Sequence, residues 1–227
     1  MLEIIADLAP KAELFYATAL NGEANFAQNI INLRNQGCDV IVDDVGYATE
    51  PPFQDGIIAQ AVNAVTASGA LYFSAAANSG NKNDGTSCTW EGDFLDGGAV
   101  SLGGVSGRAH SFGTTSQNQI RLGPFSFGSL VTFSWSDPLR NSTNDYDLFI
   151  LDAAGANVLA SSTNPQNGGQ DPFESAFGLD GNLMVVVKVR GANRFFHLEL
   201  FGGGGTLAVS TEGNTHGHNC ADRKSVV

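Results

Sequence analysis

The stretch SAAANSG, Ser74 to Gly80, closes an apolar run with an asparagine just where a strand would give way to a turn. A carboxamide in that place has two uses. Asn tolerates turn conformations and bonds its own backbone, and its N–H group can equally be held toward an oxygen that acquires charge during acyl transfer. Three other groupings have chemistry-bearing types. His216, His218 and Cys220 alternate, so on a strand they would share one face. No fourth ligand is evident, and histidines in glycine-rich loops are commonly hydrogen-bonded or exposed, so no metal is assigned to them. Asp145 and Asp147 in NDYDLF, with Asp171 and Glu174 in GGQDPFE, are hard oxygen donors of the kind calcium takes, and they are equally ordinary in acidic surface turns. Glu50 and Asp55 flank a proline-rich loop, where Asp55 suits the N-cap of the following helix.

The bulk properties exclude several classes of function. With 11 Lys+Arg against 23 Asp+Glu, the net charge of -12 opposes any sequence-independent grip on nucleic acid, which depends on neutralising phosphates. An anionic membrane surface is disfavoured for the same reason, and no apolar run approaches the roughly 18 to 20 residues of a membrane-spanning helix. Apolar residues make up 42% of the 227, ample for packed cores in one large domain or two modest ones. The abundance of Gly (28 residues), Asn, Ser and Asp suits strands, loops and a secreted protein. Cys38, Cys88 and Cys220 are odd in number and lack metal-ligand spacing, which leaves room for at most one bridge within the chain.

Residues 1 to about 80 alternate helices with apolar strands. The pattern predicts helices over Leu2–Leu8, Ala24–Asn35 and Gly56–Ser68, and strands over Ala12–Ala17, Asp39–Val42 and Leu71–Ala76, with Gly37 and Gly69 at helix C-caps. DVIV and ALYFSAA are continuous apolar runs, as expected of a parallel sheet covered on both faces. From about Arg108 the texture becomes β: LVTFSWSD, DYDLFILD, NVLASST, LMVVVKV and FFHLELF are separated by turn-forming stretches, with nothing helical between them. This predicts an antiparallel sandwich, and Gly202 to Gly205 mark its exit. MLEIIADLAP at one end and ADRKSVV at the other read as cuts through secondary structure, so the chain is expected to be a piece of something longer.

The segment IAQAVNAVTASGALYFSAAANSG resembles the part of subtilisin-like serine peptidases that delivers their oxyanion-hole asparagine. GCDVIVDDVGYA resembles the preceding strand, MLEIIADLAPKAELFYATA the helix that carries the catalytic histidine and the turn after it, and STEGNTHGHNCADRKSVV a G-x-T-x-G-H-N segment of larger secreted members. The middle, with NDYDLFILD, is similar to the pre-peptidase C-terminal type of β-sandwich.

The resemblance implies an α/β fold class: a partial subtilisin-like three-layer domain with a parallel sheet over 1–107 and 206–227, interrupted by an antiparallel β-sandwich over 108–205. It implies a secreted serine endopeptidase working through an acyl-enzyme on a peptide or protein substrate, with no nucleic-acid or membrane partner and no cofactor, calcium being the one ion that the acidic turns suit. It places Asn78 as the oxyanion donor, Asp44, Val45 and Gly46 along the substrate backbone, and Ala75, Ala76 and Ala77 at the pocket wall. The catalytic Asp, His and Ser would lie outside these residues. The sequence departs from the family at Ala77, where glycine is usual, and at Asp43-Asp44, where the usual residue is uncharged. Gly85-Thr86-Ser87 matches the start of the nucleophile motif, but CTWEGDFLDGG follows it instead of a helix of small residues, so Ser87 is not taken as the nucleophile. The alternative function is a non-catalytic scaffold presenting a sandwich that binds protein or glycan.

Overall fold

The computed structural model describes residues 2–212, 215–221 and 225–226, the last two by backbone alone. Met1, Gly213, Asn214, residues 222–224 and Val227 lie outside the described residues, and with them parts of the G-x-T-x-G-H-N segment and of ADRKSVV. The chain divides into two compact units: Met1–Tyr47, Asp55–Ala75 and Gly217–Val227 form the first, and Ala48–Gln54 and Ala76–His216 the second.

The first unit holds helices α1 (Leu2–Leu8), α2 (Glu23–Asn35) and α3 (Ile57–Ala67), strands β1 (Val40–Asp43) and β2 (Leu71–Ser74), and a short 3-10 turn, Gly217–Cys220. With β14 (Ser225–Val226) the two strands make a parallel sheet of order β1-β2-β14. Helices α2 and α3 stop for a physical reason. Gly37 and Gly69 take left-handed conformations (φ 98° and 96°) that residues with a Cβ adopt at a cost, and the N–H groups that follow fold back onto Leu33 and Val65 carbonyls. Arg34 adds a second cap by donating to the Ser68 carbonyl at 2.6 Å. Between helices and sheet lie Phe26, Ile30, Ile41, Ile58, Val62, Val65 and Tyr72. Asp55 does not cap α3, whose N-cap is Gly56; its carboxylate accepts the Asn63 amide at 2.8 Å.

The second unit is built from β3 (Thr89–Asp93), β4 (Asp96–Leu102), β5 (Val105–His110), β6 (Asn118–Leu122), β7 (Ser129–Trp135), β8 (Asp145–Leu151), β9 (Val158–Ser162), β10 (Phe173–Gly178), β11 (Leu183–Arg190), β12 (Phe195–Phe201) and β13 (Gly205–Leu207). One sheet runs β10-β7-β12-β3; the other runs β13-β6-β11-β5-β4, with β8 on β11 and β9 on β8, and every pairing is antiparallel. Period-two alternation makes the core. Phe196, Leu198 and Leu200 of β12 face Tyr146, Leu148 and Ile150 of β8 with Phe133 and Trp135, while Phe149 and Leu151 turn to a second cluster with Val185 and Val187. Burial of each such side chain contributes about 1.5–3 kcal/mol relative to exposure.

The expected α/β three-layer fold class is not what the chain adopts. The described residues form a mostly antiparallel β structure, in which the parallel pairing is confined to β1, β2 and β14. A three-layer domain buries both faces of its sheet, whereas here Val40, Val42 and Leu71 are 54%, 45% and 55% exposed. Strands also begin earlier than the texture suggested, since β3, β4 and half of β5 fall before Arg108. The predicted strand at Ala12–Ala17 does not form; this segment pairs with no strand among the described residues.

Candidate functional site

Strand β2 ends at Ser74, and the chain turns out of it through Ala75, Ala76 and Ala77 to Asn78. Ala77 has φ 68°, one of two non-glycine residues in the left-handed region among those described. That conformation costs an alanine on the order of 1 kcal/mol, and such strain persists only where surrounding contacts impose it. The contacts are visible. The Ala76 carbonyl accepts the Thr215 hydroxyl at 3.1 Å, the Ser79 carbonyl accepts the Cys88 N–H at 3.0 Å, and the buried Ser79 hydroxyl donates to Glu199. Gly203 closes the other side. Its φ is 74°, and a Cβ built there would stand 2.3 Å from the Asn78 carbonyl oxygen. The segment is therefore clamped on three sides while Asn78 itself is exposed. No hydrogen bond of its carboxamide appears among the described residues.

Gly203→Ala is expected to move Asn78 or unfold its loop, because the new methyl meets backbone and the backbone angle itself is unfavourable. A loss of about 2 kcal/mol or more in urea unfolding is expected. A loss below about 0.5 kcal/mol would mean that the glycine is dispensable.

The other sequence-predicted residues distribute as follows. Asp44, Val45, Gly46 and Ala75 belong to the first unit, Ala76, Ala77 and Asn78 to the second. Asp44, Val45 and Gly46 run on from β1, the edge strand of its sheet, outside any regular pairing; the Asp44 side chain is exposed. Ser87 is buried and donates to the Thr211 carbonyl at 2.8 Å, an internal structural bond.

In the first unit Asp43, Ser74, His218 and Asn219 form a buried polar cluster that the sequence did not announce. Ser74 Oγ lies 2.9 Å from Asp43 Oδ1, 2.6 Å from Asn219 Oδ1 and 3.4 Å from His218 Nε2. A Ser-His-Asp triad places the carboxylate on one imidazole nitrogen and the hydroxyl on the other. Here Asp43 Oδ1 sits 3.3 Å from the same Nε2 that faces Ser74, so the cluster lacks relay geometry, and its residues are shut away from solvent. Burial works against the Asp43 charge, but the hydrogen bond and charge of His218 and the Ser74 hydroxyl outweigh it and hold the carboxyl below its ordinary range.

The second unit has two ionisable clusters. On the face of β12 opposite the core, His197 and Glu199 lie beside Glu91 of β3 and His216. His197 Nδ1 is 2.7 Å from Glu91 Oε1, His197 Nε2 is 3.5 Å from Glu199 Oε2, and His216 Nδ1 is 3.4 Å from that same oxygen. Burial disfavours the His197 cation, yet Glu199 and Glu91 reverse this and raise its pKa; burial and the His197 charge lower that of His216. His216 and His218, expected to share a face with Cys220, belong to different units. The second cluster joins Asp145, Asp147 and Glu174, all buried. Glu174 accepts from Ser162, Asn164 and Gln166, and Asp145 from the Gln166 N–H at 3.0 Å. Asp147, crowded by burial and by the two neighbouring charges, is pushed up to about 7. Asp171 stands apart, accepting the Arg140 N–H at 2.7 Å. No disulfide joins the three cysteines among the described residues, and burial pushes the Cys88 thiol up to about 11.

The His197 group was missed because its members are spread from position 91 to 216, and FFHLELF reads as an ordinary strand with a polar face. The signal was there in part: His197 and Glu199 alternate, and both are buried in a strand whose other face is wholly apolar.

No family model matches the chain, and no curated protein matches it. Among solved structures it is similar to one described as the CspB protease of Clostridium perfringens, at 10% identity and a TM-score of 0.48. The similarity covers 83% of this chain and 41% of that one, so the chain spans less than half the length of that protease. The likeness is weak, and the neighbour is a peptidase.

Proposed function

We propose that the chain is part of a secreted serine endopeptidase of the subtilisin-like kind, in which Asn78 donates its side-chain N–H to the oxyanion of the tetrahedral intermediate. The observation that carries this reading is the strained, clamped turn. An alanine held at φ 68° directly before an exposed asparagine, with Gly203 pressed against the backbone of that asparagine, fixes the main chain from which the carboxamide projects before any substrate arrives. Oxyanion stabilisation works through such preorganisation, because a donor already in position reorganises nothing as charge develops. A plain turn asparagine has no need of it.

Asp44, Val45 and Gly46 would pair with an extended substrate backbone, since they run on from the edge strand of their sheet, and Ala75, Ala76 and Ala77 would line the pocket for the residue before the cut. The exposed Asp44 favours basic side chains nearby in the peptide. Nucleophile, base and orienting carboxylate would come from polypeptide outside these residues, so the isolated 227-residue chain is expected to be inert on a generic peptide. Cleavage by the isolated chain that survives replacement of Asn78 would sink the reading.

The alternative, a non-catalytic scaffold with a partner-binding sandwich, draws on one observation: Phe125 and Phe127, on the β6–β7 connection, are 92% and 96% exposed. Under that reading Asn78 is a turn residue and its replacement changes no reaction rate.

A further inference from the structure

We infer that His197, Glu199 and His216 form a binding site for a divalent transition-metal ion, with zinc as its ion, independent of the peptidase reading and distinct from the acidic cluster around Asp147. The three residues each offer a ligand atom, and these atoms lie within 4.8 Å of one another. Two donors about 2.0–2.1 Å from a tetrahedral ion stand about 3.3–3.4 Å apart. Glu199 Oε2 already stands 3.5 Å from His197 Nε2 and 3.4 Å from His216 Nδ1, two edges of such a tetrahedron. The third edge closes by rotation of His216, which lies outside the strands and has a side chain 14% exposed.

What surrounds these donors fits a metal as well. The ring of His197 is oriented by Glu91, whose carboxylate meets Nδ1, so that Nε2 faces Glu199 and would turn its lone pair to an ion that displaces its proton. A carboxylate behind a ligating imidazole is a common supporting arrangement at metal sites, fixing its tautomer and raising its basicity. Glu199 is held in turn: Ser79 donates to Oε1, so Oε2 is left to the two imidazoles. Register puts Glu91 directly across from His197 on β3, so two of these groups are set by a ladder and not by loops. Two imidazole nitrogens with one carboxylate oxygen suit a borderline ion; calcium and magnesium, which take oxygen donors, do not match this set. Three protein ligands leave the fourth position to water.

The test is a zinc titration of the intact chain after EDTA treatment and gel filtration, followed by calorimetry and thermal melting. One ion per chain is expected, with a rise in melting temperature. His216→Ala should weaken zinc at least 100-fold, and Glu91→Gln about 10- to 100-fold. Cobalt(II) in place of zinc should give the intense visible bands of a tetrahedral site without thiolate-to-metal charge transfer. Zinc binding that His216→Ala leaves unchanged, the absence of saturable binding, or a thiolate band from Cys38, Cys88 or Cys220 would each overturn the assignment. Circular dichroism of the metal-free proteins shows whether His216→Ala still folds; if it does not, Glu91→Gln decides, and an unaltered affinity in that variant refutes the site.

Discussion

Under the proposed peptidase reading, in a protein that supplies the catalytic triad, Asn78→Ala is expected to lower kcat about 100- to 1000-fold while KM changes little; this magnitude is the one known for the oxyanion asparagine of a subtilisin. The split between the two constants follows from when the bond is made. A donor aimed at the oxyanion meets charge only in the transition state, so its loss raises the barrier and leaves ground-state binding nearly untouched. Stability gives the control. Asn78 is exposed, and no hydrogen bond of its carboxamide appears among the described residues, so truncation should shift unfolding by no more than about 0.5 kcal/mol. A turn residue would behave in the opposite way, with a lowered melting temperature and an unaltered rate. A kcat within tenfold of the parent would reject the catalytic role.

Asp147→Asn is expected to stabilise the protein at about pH 8 and to leave it unchanged at about pH 4. Burial, then the charges of Asp145 and Glu174, lift the Asp147 carboxyl from 3.8 to about 7 in the folded state. Between those values the folded chain holds a proton that the unfolded chain has released, so its stability falls as pH rises through the window. The loss is about 1.4 kcal/mol per pH unit, a few kcal/mol in all. Asparagine resembles the protonated acid and does not titrate, and so avoids the loss. His110 works in the other direction. Buried among Trp90, Phe112 and Phe196, with Nδ1 accepting the Leu95 N–H, it falls from 6.5 to about 4 through desolvation. Over that range the unfolded chain binds the proton and stability rises with pH. The two slopes oppose each other in the parent, and Asp147→Asn should expose the His110 slope as a loss of stability on acidification. Urea unfolding at several pH values with EDTA present checks this; a variant no more stable than the parent at about pH 8 would contradict it.

Local patterns carried the parts of the fold that neighbouring residues determine. Helices α2 and α3 were legible because Gly37 and Gly69 end them, and β12 because its alternation is plain. What failed depended on distant partners. Strand β4, DGGAVSL, has little apolar alternation, and β3 is a strand because β12, about a hundred residues later, pairs with it. Conversely Ala12–Ala17 has strand-like composition and no partner strand among the described residues, so it stays irregular. The three-layer expectation assumed that the apolar run DVIV would be covered twice, and exposed Val40 and Val42 show one covered face. At the candidate site, the end of an apolar run singled out Asn78 as a candidate donor. The strain at Ala77, the pressure from Gly203 and the convergence of His197, Glu199 and His216 were not, because each is a relation between residues remote in sequence.

The clamp around Asn78 also sets a timetable. Ser79 is tied to Glu199 across 120 residues, and Gly203 lies further on still. Closing so long a loop is entropically slow and must await the strands between. During synthesis, therefore, the asparagine emerges early and acquires its geometry late. Until β12 is in place the contacts from Glu199 and Gly203 are missing, and the segment keeps only local restraints such as the Cys88 N–H on the Ser79 carbonyl.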